Sequence, residues 1–311
     1  MAHHTLSDNF ASFFNRLNPS PTFEQQAARE HKTITALLEN PDGRAAELSP
    51  RCFLQGSYKQ QTAIYTINDV DIVALCQLWN PGSGTGRSWS REEIMDTLAA
   101  PLRQDRRYKD KVDYHSGSMC IKLDLGIKVE ILPVVYQTGN HDPQQEPFRL
   151  YRPEKGQWQD GYARYHQARL SWKNRQEKTE GNFIPAIKVF KHLRSQLALA
   201  TVSFHIECLL FSLPDYLFLG SPADYIPALL GYIALTPASD WYGKRLKTPC
   251  GERDIFGASE WTWETWEQFH KAVSVWAKCA HSANQAVDRD TAIEFWQLFL
   301  GADFFPKQVS P

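Results

Sequence analysis

The chain has 311 residues, 42% of them hydrophobic and 22% charged. That length and apolar content can build a sizeable core, which excludes low-complexity disorder and collagen-like repeats. Lys plus Arg number 34 against 35 Asp plus Glu, a net charge of −1, so coating of nucleic acid by bulk charge is excluded while a local basic groove is not.

The N-terminal stretch MAHHTLSDNF lacks the basic-then-apolar layout of a signal peptide. The first predicted helix follows Asn18-Pro19-Ser20-Pro21, with Ser20 as cap and Pro21 at the first helical position. Ala27, His31, Ile34 and Leu38 then recur at helical spacing until Pro41-Asp42-Gly43 ends the run. Residues 51–135 read mainly as strands with helical insertions. Cys52-Phe53-Leu54 leads into Gly56-Ser57, and Asp69 to Cys76 reads as a strand. Residues 78–89 read as a loop around Gly82-x-Gly84-x-Gly86, which mimics a phosphate loop but lacks the G-x-G-x-x-G spacing. Ser90 to Leu102 is predicted helical, with Ser90-x-x-Glu93 as a capping box. Two strands, Met119 to Leu125 and Ile127 to Val135, flank Gly126 and predict a hairpin.

After residue 160 the pattern turns helical, over Asn182–Leu199, Ser203–Leu213, Trp261–Ala286 and Thr291–Leu300. A charged loop lies between Ser239 and Glu260. The most apolar region, Cys208 to Leu235, is interrupted by Asp215, Asp224, Pro214 and Pro222, so no membrane span is predicted. The six cysteines, Cys52, Cys76, Cys120, Cys208, Cys250 and Cys279, form no C-x-x-C pair. They predict a reduced, cytoplasmic protein rather than a disulfide framework or zinc knuckle. The expected architecture is a mixed-sheet lobe over 1–165 and a helical lobe over 166–311, with a cleft between them.

The chemistry concentrates in Gln55-Gly56-Ser57-Tyr58 and Asp69-Val70-Asp71. Residues two apart on a strand face one side, so Asp69 and Asp71 project together, opposite Val70 and Ile72. Two adjacent carboxylates repel, and a divalent cation removes the conflict; Mg²⁺ favours a few carboxylates plus substrate phosphates. Gly56 lets backbone approach a phosphate, and the Gly56 and Ser57 amides with the Ser57 hydroxyl can donate to it. A third carboxylate is expected from a neighbouring strand, and the residues offer Glu130 in KVEILP or Asp124 between Leu123 and Leu125. Arg103, Arg106, Arg107, Lys109 and Lys111 alternate with Asp105, Asp110 and Asp113, the pattern of a solvated surface.

The set GSY…DVD…VEILP resembles the polymerase-beta-type nucleotidyltransferases, and its closest branch resembles the cGAS/DncV-like nucleotidyltransferases (CD-NTases) that make cyclic oligonucleotide signals in animal immunity and bacterial phage defence. Val189-Phe190-Lys191-His192-Leu193 is similar to that family's helical-lobe lysine motif, and Ser203-Phe204-His205 to its serine-aromatic-histidine segment. The ending, from Ile293-Glu294-Phe295-Trp296 to Gly301-Ala302-Asp303-Phe304, is similar to W-x-x-x-F-G-x-x-F of bacterial members, with Leu300 inserted before the glycine. Together these landmarks run from about residue 20 to 306.

The resemblance implies an α/β (α+β) nucleotidyltransferase core with an N-terminal spine helix, Pro21 to Glu39, and a C-terminal helical lobe. It selects Glu130 as the third carboxylate, although many members carry Asp there and Glu130 is one methylene longer. Asp69, Asp71 and Glu130 would hold two Mg²⁺ ions, with Mn²⁺ as a substitute. Gly56 and Ser57 would cradle the donor triphosphate, Lys191 and Ser203 would touch its β/γ phosphates, and Phe204 would stack on a base. Read without the family, Lys191 lies on a basic helix face, Ser203 is a helix cap and Phe204 is core. The implied reaction joins ATP and a second NTP into a cyclic di- or trinucleotide with release of pyrophosphate. Nothing matches the zinc-binding insertion of the animal DNA sensor, so no DNA activator is expected. A monomer is expected, with regulatory and effector proteins encoded nearby. The alternatives are a transferase of the same fold acting on RNA, protein or a small molecule, and a catalytically silent nucleotide-binding scaffold.

Overall fold

The computed structural model describes residues 6–79, 89–136, 148–153, 155–161, 163–197, 203–257 and 261–308. The glycine run at residues 82–86 lies outside them. In chain order the elements are α1 (Ser7–Leu17), α2 (Pro21–Leu38), β1 (Arg51–Gln55), α3 (Gly56–Gln60), β2 (Asp69–Trp79), α4 (Arg91–Gln104), β3 (Val112–Asp113), β4 (Ile121–Asp124), β5 (Lys128–Tyr136), β6 (Phe148–Arg152) and β7 (Gln157–Gly161). Helices follow: α5 (Ala163–Asn174), α6 (Phe183–Ser195), α7 (Ser203–Ser212), α8 (Pro222–Leu235), α9 (Ala238–Gly243), α10 (Trp263–Gln285) and α11 (Arg289–Leu300). The expected α/β class with a mixed sheet is what the chain adopts.

The chain divides into two compact units. One comprises Ser20–Gln61 and Thr66–Gln167; the other comprises Met1–Pro19, Thr62–Tyr65 and Ala168–Pro311. This differs from a single cut near residue 165, because two pieces from the first half belong with the helices. Helix α1 is one of them. It was not anticipated, although Phe10, Phe13, Phe14 and Leu17 recur at helical spacing. Its buried Phe10, Phe13 and Leu17 join the helical core around Phe190, Trp296 and Phe305. The second piece, Thr62–Tyr65, is tied by the Tyr65 amide, which donates to Leu17 O at 2.8 Å, and by the Tyr65 ring, 4.6 Å from that of Phe304.

The first unit is built on a seven-stranded sheet. The order β1-β2-β5-β4-β3 forms its main path, and β6 and β7 extend it from β5. Strands β2 and β5 run parallel, while β1 on β2 and β4 on β5 run antiparallel. Alternation decides the two faces. Val70, Ile72, Val129 and Ile131 are buried in one core with Ala27, Ile34 and Leu38 of α2 and Ile94, Leu98 and Leu102 of α4. The predicted caps hold both helices: Ser20 accepts from the Phe23 amide at 3.1 Å, and Ser90 with Glu93 closes a capping box. The opposite face carries Val73, Leu75, Val134, Phe148 and Leu150 as a smaller apolar cluster, and beyond it the charged residues described next.

The helical unit buries Trp261, Trp266 and Trp296 with Phe183, Phe190, Phe218, Phe269 and Phe299. The apolar region from Cys208 to Leu235 resolves into α7, a short 3-10 turn and α8. Among the described residues no helix is long and apolar enough to cross a membrane. All six cysteines are free thiols.

Candidate active site on the sheet

Strand register assembles the site. Asp71 on β2 lies opposite Gln55 on one side and opposite Glu130 of β5 on the other, and Glu130 lies opposite Lys122 of β4. One row across the sheet therefore reads Gln55, Asp71, Glu130, Lys122. The next row reads Asp69, Lys128, Asp124. Period-two alternation puts both rows on the face opposite the α2/α4 core. Glu130, not Asp124, is the carboxylate adjacent to Asp71. Asp124 is exposed in the hairpin turn, where it accepts from the Gly126 amide at 3.2 Å.

Asp69 is exposed and Asp71 half-buried. The carboxyl of Asp71 is pushed up to about 7, by burial first and then by the charges of Asp69 and Glu130. Its burial leaves the charge without the hydration it would have in water, and both charged neighbours are of the same sign. Gly56, the first residue of α3, sits directly against it. Gly56 has φ +73°, and a Cβ there would fall 1.9 Å from Asp71 Oδ2. Only glycine can meet both demands, because an L side chain is strained at that φ and the added carbon overlaps the carboxylate. Ser57, half-buried, follows in the same short helix.

Glu130 is differently placed. Its Oε1 is 3.1 Å from Lys122 Nζ, and the Cys120 thiol donates to its Oε2 at 3.4 Å. Burial and the Glu130 charge raise the Cys120 thiol to about 12, so it stays a protonated donor. Among the described residues no three His, Cys, Asp or Glu side chains close on one point as a finished metal cage. The donor set still fits a divalent cation: three carboxylates lie on one face, and Asp71 is short of positive charge. Open oxygen sites of this kind are completed by substrate phosphates and water. Lys122 and Cys120 were not anticipated. The signal was present, because a hairpin centred on Gly126 pairs residue 122 with 130 by counting alone.

The remaining predicted residues lie in the helical unit. Lys191, on α6, is 2% exposed. Its ammonium donates to Glu207 Oε1 at 2.6 Å and to Thr62 Oγ1 at 2.9 Å, and Thr62 donates in turn to Glu207 Oε1 at 2.7 Å. This differs from the expected phosphate contact and from a solvated basic face: a contact from Nζ to a phosphate requires the Glu207 pair to share or release it. Ser203 opens α7 and is half-buried. Phe204 is also half-buried, packed at the margin of the core, with the Arg253 guanidinium 4.9 Å from its ring centre.

Comparison with known proteins assigns the chain to a family. Residues 4–174 match the family model for the Second Messenger Oligonucleotide or Dinucleotide Synthetase domain. The chain belongs to this family. It is a nucleotidyltransferase, and residues 171–277 match the cGAS/DncV-like nucleotidyltransferase C-terminal helical domain. A cyclic UMP-AMP synthase of Rhodothermus marinus is 26% identical over 272 residues, spanning 78% of this chain and 89% of that protein. The solved structure of the Rhodothermus marinus CdnE c-UMP-AMP synthase with Apcpp and Upnpp is similar at TM-score 0.65 and 21% identity, over 87% of this chain and 95% of that one. The Escherichia coli MS115-1 CdnC in its HORMA-deltaN complex is similar at TM-score 0.70 and 16% identity, over 98% and 99% of the two chains.

Proposed function

We propose that this enzyme joins ATP and a second NTP into a cyclic di- or trinucleotide, releasing pyrophosphate. The observation that carries the reading is the row Asp71–Glu130 on adjacent strands, with Asp69 on the same face and Gly56 pressed against Asp71. The cyclic nucleotide synthases among its relatives support the cyclic product.

Asp69, Asp71 and Glu130 are the residues that would hold two Mg²⁺ ions. Bound there, the ions supply charge for an in-line displacement at the α-phosphate. Gly56 and Ser57 offer their amides, and Ser57 its hydroxyl, to the donor triphosphate. Glu130 accepts the proton of the attacking 2′- or 3′-hydroxyl. The new P–O bond forms as the bond to pyrophosphate breaks, and the linear product is closed in a second turnover of the same kind. Ser203 touches phosphate, Phe204 stacks on a base, and Lys191 shares its charge between Glu207 and the β/γ phosphates. The family resemblance supports a cytoplasmic role in antiphage signalling, with a protein encoded nearby that reads the product.

The test is product analysis with Mg²⁺ and all four NTPs, each labelled at the α-phosphate in turn. A labelled product that resists phosphatase and has the mass of a cyclic oligonucleotide is the expected result. Pyrophosphate release with label that is phosphatase-sensitive, or attached to RNA or protein, would overturn the cyclic product and keep the transfer chemistry. Nucleotide binding with no pyrophosphate would favour the silent scaffold.

A further inference from the structure

Both oxygens of Glu130 are already engaged by the chain's own donors. Lys122 Nζ lies 3.1 Å from Oε1, and the Cys120 thiol donates to Oε2 at 3.4 Å. The two donors belong together: β4 runs antiparallel to β5, with Lys122 directly opposite Glu130 and Cys120 just before the strand. Asp71, opposite Glu130 on the other side, has like charges for its charged neighbours. The carboxylate face is thus asymmetric. Among the described residues its third member is paired with a lysine, and its first two are not.

We propose that Cys120 and Lys122 form a place-holding clamp on Glu130, which a divalent cation must displace before Glu130 can act as a ligand. The inference rests on the carboxylate site proposed above. The lysine charge competes with the cation for one carboxylate oxygen, and it also opposes the cation's approach to the face. A charge on a neighbouring strand within a few ångströms acts at this range even when partly exposed. Lys122 and Glu130 side chains are 55% and 36% exposed, so the pair is screened and exchangeable rather than locked. Lys122 is then a positioning residue that sets how tightly the metal is held before nucleotide arrives. The thiol contributes only a weak donor, and the lysine carries most of the effect.

The experiment is titration of the nucleotide-free protein with Mn²⁺, read as loss of the free-ion EPR signal. Lys122→Met should bind Mn²⁺ about fivefold more tightly than wild type, the scale of one exposed charge close to a divalent ion. Lys122→Arg, which keeps charge and reach, should stay within about twofold of wild type. Glu130→Gln should reduce the difference between wild-type and Lys122→Met backgrounds, leaving only the part due to the lysine charge opposing the cation's approach. An affinity in Lys122→Met equal to or weaker than wild type, in protein with a wild-type circular dichroism spectrum and melting curve, overturns the clamp. Asp71→Asn separates the two failures. If it weakens Mn²⁺ binding while Lys122→Met has no effect, the carboxylate site stands and the clamp falls. If Asp71→Asn leaves Mn²⁺ affinity untouched, the ion binds elsewhere, and both fall together.

Discussion

Two charged clusters in this molecule meet opposite fates. Inside the helical unit, Lys191 and Glu207 are 2% and 5% exposed, a matched pair bridged by the Thr62 hydroxyl. On the sheet face, Asp69, Asp71 and Glu130 share one sign, and Asp71 is raised to about 7 by burial first and then by the charges of its two neighbours. A buried charge with its counter-ion and hydrogen bonds complete is costly to break, so a phosphate can only share such a lysine with its carboxylate. Asp71, half-buried beside two carboxylates of its own sign, is strained until something positive arrives. Burial of a charge that lacks a counter-ion, rather than burial alone, marks the candidate site.

The sharpest way to break the comparison is to remove the imbalance. Asp69→Asn with Asp71→Asn should cut turnover by about 1,000-fold or more, as expected when the groups that organise the chemistry are lost. The same variant should melt no lower than wild type in EDTA, because it removes repulsion and no packing. Full activity, measured as pyrophosphate release, would sink the metal role of this face.

Gly56→Ala should be the next most severe. The added carbon meets Asp71 Oδ2 at 1.9 Å on a backbone at φ +73°. Turnover should fall about 100-fold as Asp71 is pushed from its place, with a stability loss of about 2 kcal/mol in urea unfolding. A variant with wild-type kinetics would mean that the close approach of backbone and carboxylate is not needed.

Lys191→Met tests the matched cluster. It leaves Glu207 buried without its cation, at a cost of about 3 kcal/mol. Adding Glu207→Leu should restore most of that loss, since an apolar pair has no stranded charge. Both are read by denaturant midpoint at unchanged slope. A loss of turnover in Lys191→Met with no loss of stability would give the lysine a purely nucleotide-directed role.

The smallest effect is a pH dependence. Asp71 has its carboxyl raised from 3.8 to about 7 in the folded chain. The folded state therefore holds that proton more tightly than the unfolded chain does. Without divalent cations its contribution makes the fold progressively less stable as pH rises from about 4 to about 7, and constant above. Asp71→Asn should remove this slope, so the melting temperature of the variant should gain on wild type by a few degrees across that window. An equal pH dependence in both would mean that the Asp71 carboxyl is not perturbed.

Much of the candidate site is legible in the sequence. Asp69-x-Asp71 faces one way on any strand, Gly56 announces a close backbone approach, and Gly126 centres a hairpin. These are local signals, set by period two and by the steric freedom of glycine. Even Lys122 opposite Glu130 follows from the hairpin's count. Other features were not legible. Nothing near Lys191 in the sequence reveals that Glu207, sixteen residues on, and Thr62, 129 residues back, will neutralise it. The basic neighbours Lys188 and Arg194 suggest a solvated face instead. Likewise Ser7–Leu17 carries a helical apolar stripe, but only packing assigns it to the helical unit, where Phe10 meets Trp296. The expected cut near residue 165 assumed that contacts follow chain order.

The sequence by itself determined the carboxylate pair, the caps of α2 and α4, the hairpin and the α/β pattern, because each depends on residues a few positions apart. Tertiary structure alone decided which carboxylate stands beside Asp71 and which lysine is held in a buried pair. Those outcomes depend on register and burial. Charge energies change severalfold with distance and solvent access, and neither quantity is written in local sequence.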